Sequence, residues 1–436
     1  MLDALLTKNI GPIAEMNLSL AERINIFTGD NGLGKTFILD IAWWALTGKW
    51  ARQVNPKLNQ SYMVKPPPPK QGKIGYSYAV QAGDGHENYH NEAEFSHKDQ
   101  AWQFLHPAKN YAGIVIYALA DGSFAVWDTV RNTQKHDANV PPAYIFSTQE
   151  IWDGLKSPEG KPLCNGLIAD WASWQKEKNA AFESLCEVLR RLSPLDEQIT
   201  AGKLTRIDLY DTRDMPTIRM PYNDDVPVVY ASSAIKRVLS LAYCLIWAIE
   251  EHKRACELLN IEPAFFVTFL IDELEAHLHP KWQRSIMESL IATLDYVRLL
   301  EVKNANVSVD PIQQILMVTH SPLLLTSMED IFNSSTDSWF DINLDVETKN
   351  VTIEEKKFIK QGSASYWYTS EAFDLETDYS RKKEALLERI SKFTDNDSVD
   401  ATEASAITRE MYAVLPDIDI LWPRWRTYCA EKGISV

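Results

Sequence analysis

An α/β fold with a layered, mostly parallel core sheet is what this sequence predicts, and three observations predict it. Short, near-continuous apolar runs at 23–27, 265–271 and 314–318 have strand length and little polar alternation, as expected of a sheet buried on both faces. Segments of helical periodicity alternate with them: 37–47, with Phe37, Ile38, Ile41, Ala42 and Ala45 at helical spacing, and 280–294, with Ile286, Leu290 and Leu294 on one face. A glycine-rich turn at 29–34 joins the first run to the first helix, which stops near Gly48. Strands and helices in alternation build layered α/β cores.

The remaining elements follow in chain order. The first 28 residues read as two short strands and a turn, with Leu5 and Leu6 in the first strand, Gly11 and Pro12 in the turn and 23–27 as the second strand. The segment 51–145 differs in character. Its proline run at 66–69 excludes helix, and the stretches 74–80, 114–119 and 124–127 predict an antiparallel β insertion. Residues 165–192 are helical, with an apolar stripe that includes Leu167, Trp171, Leu185 and Leu192, and 234–252 is a strongly apolar helix. Beyond about 360 the chain is helical and acidic and ends in an aromatic patch at 421–425. There Trp422 and Trp425, flanked by Arg424 and Arg426, are either a docking anchor or buried packing.

Composition excludes several classes. With 45% hydrophobic residues the chain can form a large core, so global disorder is excluded. Its net charge of −16 argues against a broad, non-specific nucleic-acid coat, so any contact with nucleic acid needs a local groove or a surface created by oligomerisation. The five cysteines are scattered, with no CxxC pair, which fits free thiols in a reducing cytosol. The N-terminus has no signal-peptide pattern and no apolar run is long enough to span a bilayer, so a cytoplasmic protein with no membrane partner is expected. His86, His90, His97 and His106 lack metal-ligand spacing.

The chemistry concentrates in three places. Residues 29–36 read G-D-N-G-L-G-K-T, the G-x-x-x-x-G-K-[ST] pattern of a P-loop. Gly29, Asn31, Gly32 and Gly34 belong to a loop whose backbone N–H groups can curl around phosphates. Lys35 supplies a cation for the β- and γ-phosphates, and the Thr36 hydroxyl a ligand for Mg²⁺. The second place is the end of the run at 265–271, where Asp272 and Glu273 put two carboxylates at a strand terminus, the position of α/β active sites. Asp272 is the candidate Mg²⁺ holder and Glu273 the candidate base for an attacking water. The third is His320, just after the run at 314–318, which can reach a γ-phosphate or that water. ATP and Mg²⁺ are therefore the expected cofactors.

Together these motifs resemble the ABC-type P-loop ATPases, in the SMC, RecF and OLD branch. The run Asp272-Glu273-Leu274-Glu275-Ala276-His277-Leu278-His279-Pro280 is similar to the E-x-H-L-H-P segment of OLD- and RecF-like proteins. The resemblance covers about 1–50, 145–155 and 225–330. It implies an ABC-ATPase head with an antiparallel β insertion and helical additions. It also implies that His279 lies in a D-loop at a dimer seam and that Gln149 senses Mg²⁺ in a Q-loop. Ser232, in 231–237, would contact the γ-phosphate of a second subunit. Ala234 stands where that family has glycine, and Ser232 or Ser233 could equally serve as a helix cap. The implied division is 1–50, core with P-loop; 51–145, β-rich insertion; 146–230, Q-loop-like and helical; 231–330, signature to H-loop half; 331–436, helical tail.

The chain is similar to the ATPase subunits of bacterial anti-phage systems of Septu, PARIS and retron-associated type. That resemblance implies an ATP-driven switch, active as an ATP-sandwich dimer or a higher homo-oligomer. It implies a separate effector such as an HNH or TOPRIM nuclease. The alternative is a RecF-like DNA-repair or end-processing ATPase. No intrinsic nuclease is expected: Asp417 and Asp419 form a D-x-D in the tail with no strand–Glu element before it.

Overall fold

Strands β1 (Leu2–Lys8), β2 (Glu15–Ser19), β3 (Ile24–Gly29), β4 (Lys73–Ala82), β5 (Gly85–Ser96), β6 (Ala101–Phe104), β7 (Ile114–Ala118), β8 (Phe124–Asp128) and β9 (Tyr144–Phe146) fill the first third of the chain. The pairs and triplets β10 (Leu155–Lys156) with β11 (Pro162–Cys164), and β12 (Thr200–Ala201) with β13 (Thr217–Met220) and β14 (Asn223–Pro227), form small separate sheets. Last come β15 (Val267–Asp272), β16 (Gln313–Val318), β17 (Asp337–Asp345) and β18 (Asn350–Lys356). This computed structural model describes the chain except residues 83–84, 107–112, 134–140, 221–222, 264–265, 303–312, 374, 376, 378, 396–399 and 435–436.

The core is an eight-stranded sheet in the order β18-β17-β3-β16-β15-β7-β8-β9. From β17 to β7 every pairing is parallel, and the outer pairings are antiparallel. The three apolar runs of the sequence are β3, β15 and β16, adjacent and buried, with residue 265 outside the described residues. Register aligns Val318 with both Phe27 and Asp272, so the P-loop and the two carboxylates emerge at the same edge of the sheet.

A second, five-stranded sheet is antiparallel throughout, in the order β2-β1-β4-β5-β6. The segment 51–145 therefore serves two sheets. Its first strands pair with the N-terminal hairpin, while β7 and β8 enter the core. The cause lies in the side chains: IVIYA and FAVWD are buried at every position, and a strand apolar on both faces needs cover on both faces.

Helix α1 (Lys35–Thr47) follows β3 and is bounded by left-handed Gly34 and Gly48, whose N–H closes on Trp44 O at 2.7 Å. After α2 (Ala51–Val54), α3 (Thr129–Asn132) and α4 (Thr148–Asp153), the stripe at 165–192 divides into α5 (Leu167–Glu177) and α6 (Ala180–Leu192). The break is at left-handed Lys178, beside Asn179, which caps Phe182 N. Helix α7 (Ser233–Leu259) is the long apolar helix. Then come α8 (Pro280–Gln283), α9 (Ile286–Val302), α10 (Pro322–Met328) and α11 (Ala364–Tyr368). Among the described residues no helix is long and apolar enough to cross a membrane.

Contacts divide the chain into Met1–Trp367 and Tyr368–Val436. The second unit holds α12 (Arg381–Thr394), α13 (Ala401–Val414) and α14 (Leu421–Glu431) around its own core of Leu386, Phe393, Ile407, Met411, Trp422 and Trp425. Trp422 and Trp425 are thus packing residues and not an exposed anchor. Their indole N–H groups donate to Pro416 O and Thr408 Oγ1, both at 2.9 Å. Asp419 of the D-x-D pairs with Lys383 at 2.6 Å and accepts from Leu421 N at 3.0 Å.

Candidate nucleotide site

The loop between β3 and α1 needs glycine at two points. A Cβ on Gly29 would lie 2.2 Å from Ile342 O, and one on Gly34 would lie 2.4 Å from Pro12 Cγ. Both have positive φ, 127° and 99°. Gly32 is also left-handed but faces open space. Lys35 is buried, and its Nζ donates to Gly29 O at 2.7 Å and Asp30 O at 2.6 Å. Burial lowers its pKa to about 8 against the opposing pull of Glu273, Asp30 and Asp272. The ammonium is held inside the loop's own ring of carbonyls, where an anion would meet it.

Thr36 Oγ1 donates to Asp272 Oδ2 at 2.9 Å, which joins the two Mg²⁺ candidates across 236 residues of sequence. Asp272 is fully buried, and its other oxygen, Oδ1, has no hydrogen-bond partner among the described residues. Burial pushes its carboxyl up to about 6. A buried, orphaned carboxylate oxygen beside a hydroxyl is the donor chemistry of a hard divalent cation, so these residues fit Mg²⁺.

Glu273 follows in a left-handed conformation, φ 49°, uncommon for a residue with a side chain. Its N–H donates to Val318 O at 3.1 Å. Its Oε1 lies 3.6 Å from His320 Nε2. Burial and then the charge of Lys35 lower the pKa of His320, which keeps the imidazole neutral at pH 7. Glu275 places that histidine. Its buried carboxylate accepts from Thr319 Oγ1 at 2.6 Å and from His320 N at 2.9 Å.

The structure thus gathers Lys35, Thr36, Asp272, Glu273 and His320 at one sheet edge. Among the described residues, neither Gln149 nor Ser232 is hydrogen-bonded or ion-paired to any of them. Gln149 is on α4, after edge strand β9, and its Nε2 meets Asp153 Oδ2 at a long 3.4 Å. Ser232 is the N-cap of α7, accepting from Ile235 N at 3.4 Å, and is exposed. Ala234 lies within α7, so the positive φ that would strain it does not arise. His279 is exposed and caps α8 through Lys281 N.

Sequence reasoning missed two residues with a part in this arrangement. Glu275 was visible only as part of a motif, with no role attached. Arg237 is buried and donates to the carbonyls of Ala120, Asp272 and Glu273 at 2.8, 3.2 and 2.9 Å. Neither signals itself, because backbone groups are their main partners.

No curated protein matches the chain. Similar solved structures include an SMC head bound to the C-winged-helix domain of ScpA, at 11% identity, covering 82% of this chain and 98% of that one, with a TM-score of 0.43. The SMC head domain from Thermotoga maritima is 13% identical, covers 82% and 99%, and has a TM-score of 0.38. The recombination mediator RecF of the RecFOR pathway is 12% identical, covers 81% and 98%, and has a TM-score of 0.39. The family described as "AAA domain, putative AbiEii toxin, Type IV TA system" matches residues 24–326. That span, well over half the chain, takes in the P-loop, both strand-end carboxylates and His320, and the chain belongs to this AAA-domain family of P-loop ATPases.

Proposed function

We propose that this protein is an ATP-hydrolysing switch subunit whose output passes to a separate effector, in the manner of anti-phage ATPases. The observation that carries the ATPase chemistry is the 2.9 Å contact of Thr36 with Asp272 beside the orphaned Asp272 oxygen. Thr36 and Asp272 would hold Mg²⁺, which supplies positive charge at the β- and γ-phosphates when bound. Lys35 would leave its loop carbonyls for the same phosphates. Glu273 would orient a water and take its proton as the water attacks the γ-phosphorus, releasing ADP. Neutral His320 would hold that water or the γ-phosphate through Nε2. Ser232, exposed at a helix N-terminus, would serve a second copy's γ-phosphate, and Gln149 would follow the metal as α4 moves.

A toxin–antitoxin setting draws on the family description, which names a putative AbiEii toxin of a Type IV TA system. The separate effector draws on chemistry: among the described residues no group of His, Cys, Asp and Glu is placed to hold a further metal ion. The test has two arms. Lys35→Ala should weaken ATP binding at least tenfold by calorimetry, and Glu273→Gln should bind ATP normally yet lose turnover. Parental turnover in Glu273→Gln would remove the assignment. A nuclease, HNH or TOPRIM, encoded beside this protein would favour the defence reading. Stimulation of turnover by DNA ends would favour a RecF-like one.

A further inference from the structure

Beyond the ends of β7 and β15 the sheet ladder no longer supplies donors, while Leu119 is buried and Ala120 and Glu273 are half-buried. One side chain fills the gap. Arg237, in the second turn of α7, sends Nη1 to Ala120 O at 2.8 Å. Its Nη2 serves Glu273 O at 2.9 Å, Asp272 O at 3.2 Å and Leu119 O at 3.4 Å. Only 9% of the residue is exposed. These hydrogen bonds all go to carbonyls; burial works against the charge, and Glu275, Asp272, Asp121 and Glu273 offset part of that through space. A buried guanidinium spent on backbone is costly unless the backbone needs fixing.

It does need fixing here. Glu273 holds a left-handed φ of 49° without being glycine, a conformation that persists only where surroundings over-determine it. Its N–H is tied to Val318 O, and its carbonyl receives Ala276 N at 3.0 Å as well as Arg237. The same guanidinium faces the turn at 119–122: a Cβ on Gly122 would lie 3.8 Å from Arg237 Nη1 and 3.6 Å from Thr148 Cγ2, next to Gln149. One planar fork therefore joins the start of α7, the turn after β7 and the peptide of Glu273. Lysine, a single compact ammonium, does not reproduce that geometry.

We propose that Arg237 is a positioning residue that locks the Glu273 turn to the first turns of α7. The aim of the carboxylate is then set by the helix that begins at Ser232. Engagement of Ser232 by a phosphate would move α7, and Arg237 would pass that movement to Glu273 without touching nucleotide. The proposal rests on Glu273 being the hydrolytic carboxylate.

The test is steady-state and single-turnover ATP hydrolysis by the full chain, with a fluorescent ATP analogue for binding. Arg237→Ala should lower kcat at least tenfold, in line with the cost of a small misplacement, while KM and analogue Kd stay within about twofold. Arg237→Lys should fold, bind the analogue normally and recover part of kcat. In the Glu273→Gln background Arg237→Ala should cause no further loss of the residual single-turnover rate, because its effect runs through the missing carboxylate. A purely structural arginine would give losses that multiply. Parental kcat in Arg237→Lys, or multiplying losses, would overturn the proposal. Should Arg237→Ala fail to fold, the lysine variant alone decides it. Parental turnover in Glu273→Gln alone is a different failure, that of the ATPase assignment itself.

Discussion

Asp272 shows how this site stores stability for later use. It is a fully buried carboxylate with one oxygen satisfied by Thr36 and the other by nothing among the described residues. Such a group costs about 1–3 kcal/mol while it stays uncompensated. Asp272→Asn should therefore raise the melting temperature of the nucleotide-free protein by a few degrees, consistent with about 1 kcal/mol recovered. The same variant should lose the stabilisation that Mg²⁺ with ATP gives the parent. Thermal melts with and without Mg²⁺ and ATP check both parts, and a variant that melts lower than the parent when free of nucleotide contradicts the argument. At this scale the sequence was informative where chemistry forces spacing. The meeting of Thr36 with Asp272 could be read from a P-loop and a strand ending in acids. Arg237 and Glu275 could not, because carbonyls and amides leave no letter in the sequence. Gln149 was placed by analogy alone, and the structure shows only its weak contact with Asp153.

Between elements, the joint of α7 with β8 and α3 depends on charge. His252 of α7 places Nδ1 2.9 Å from Asp128 Oδ1, and Arg131 Nε lies 2.6 Å from Asp128 Oδ2. Cys256 Sγ stands 3.6 Å from His252 Nε2. The Cys–His–Asp order resembles a nucleophilic triad, but all three residues are sealed from solvent, so its role is packing. Burial opposes the charge on His252, but its hydrogen bond to Asp128 and the charge there prevail, and its pKa is raised to about 9. Burial likewise opposes the charge on Asp128, but the hydrogen bond and charge of His252 and then Arg131 hold its pKa low. A raised histidine pKa gives stability that is complete below the unfolded value near 6.5 and is lost as pH climbs through about 9. The lowered carboxylate gives stability that is lost only as pH falls below the ordinary carboxylate range. His252→Gln should thus cost about 3 kcal/mol near pH 6 and much less near pH 9.5, measured by urea unfolding. A penalty independent of pH would mean that the pair is not ionic. The same region shows why β7 and β8 were assigned to an insertion: short apolar strands carry no mark of their partner, and only the absence of polar alternation pointed to the core. The first 28 residues, read as two strands, hold three: short β2 pairs with β1 in the second sheet, and β3 alone enters the core.

For the whole molecule, the largest inference concerns copies of the chain acting together. Ser232 stands exposed at the N-terminus of α7, where the helix dipole favours an anion, and its hydroxyl accepts from Ile235 N of its own helix. On the function proposed above, its ligand would be a second copy's γ-phosphate. Against this works the net charge of −16, which makes two copies repel. ATP and the closed site have to overcome that repulsion, so association should be conditional on ATP and sensitive to salt. Glu273→Gln, which keeps ATP bound, should sediment as a monomer without nucleotide and shift toward a dimer with ATP and Mg²⁺. Raising ionic strength from about 20 mM to 150 mM should strengthen that dimer by screening the repulsion. Ser232→Arg in the same background should abolish the ATP-dependent shift while leaving ATP affinity within about twofold, since on the proposed function the serine would meet the other copy's phosphate. A dimer that forms with ATP but ignores Ser232→Arg would place the contact elsewhere. A Glu273→Gln protein that stays monomeric at saturating ATP and moderate salt would show that the switch operates within one chain.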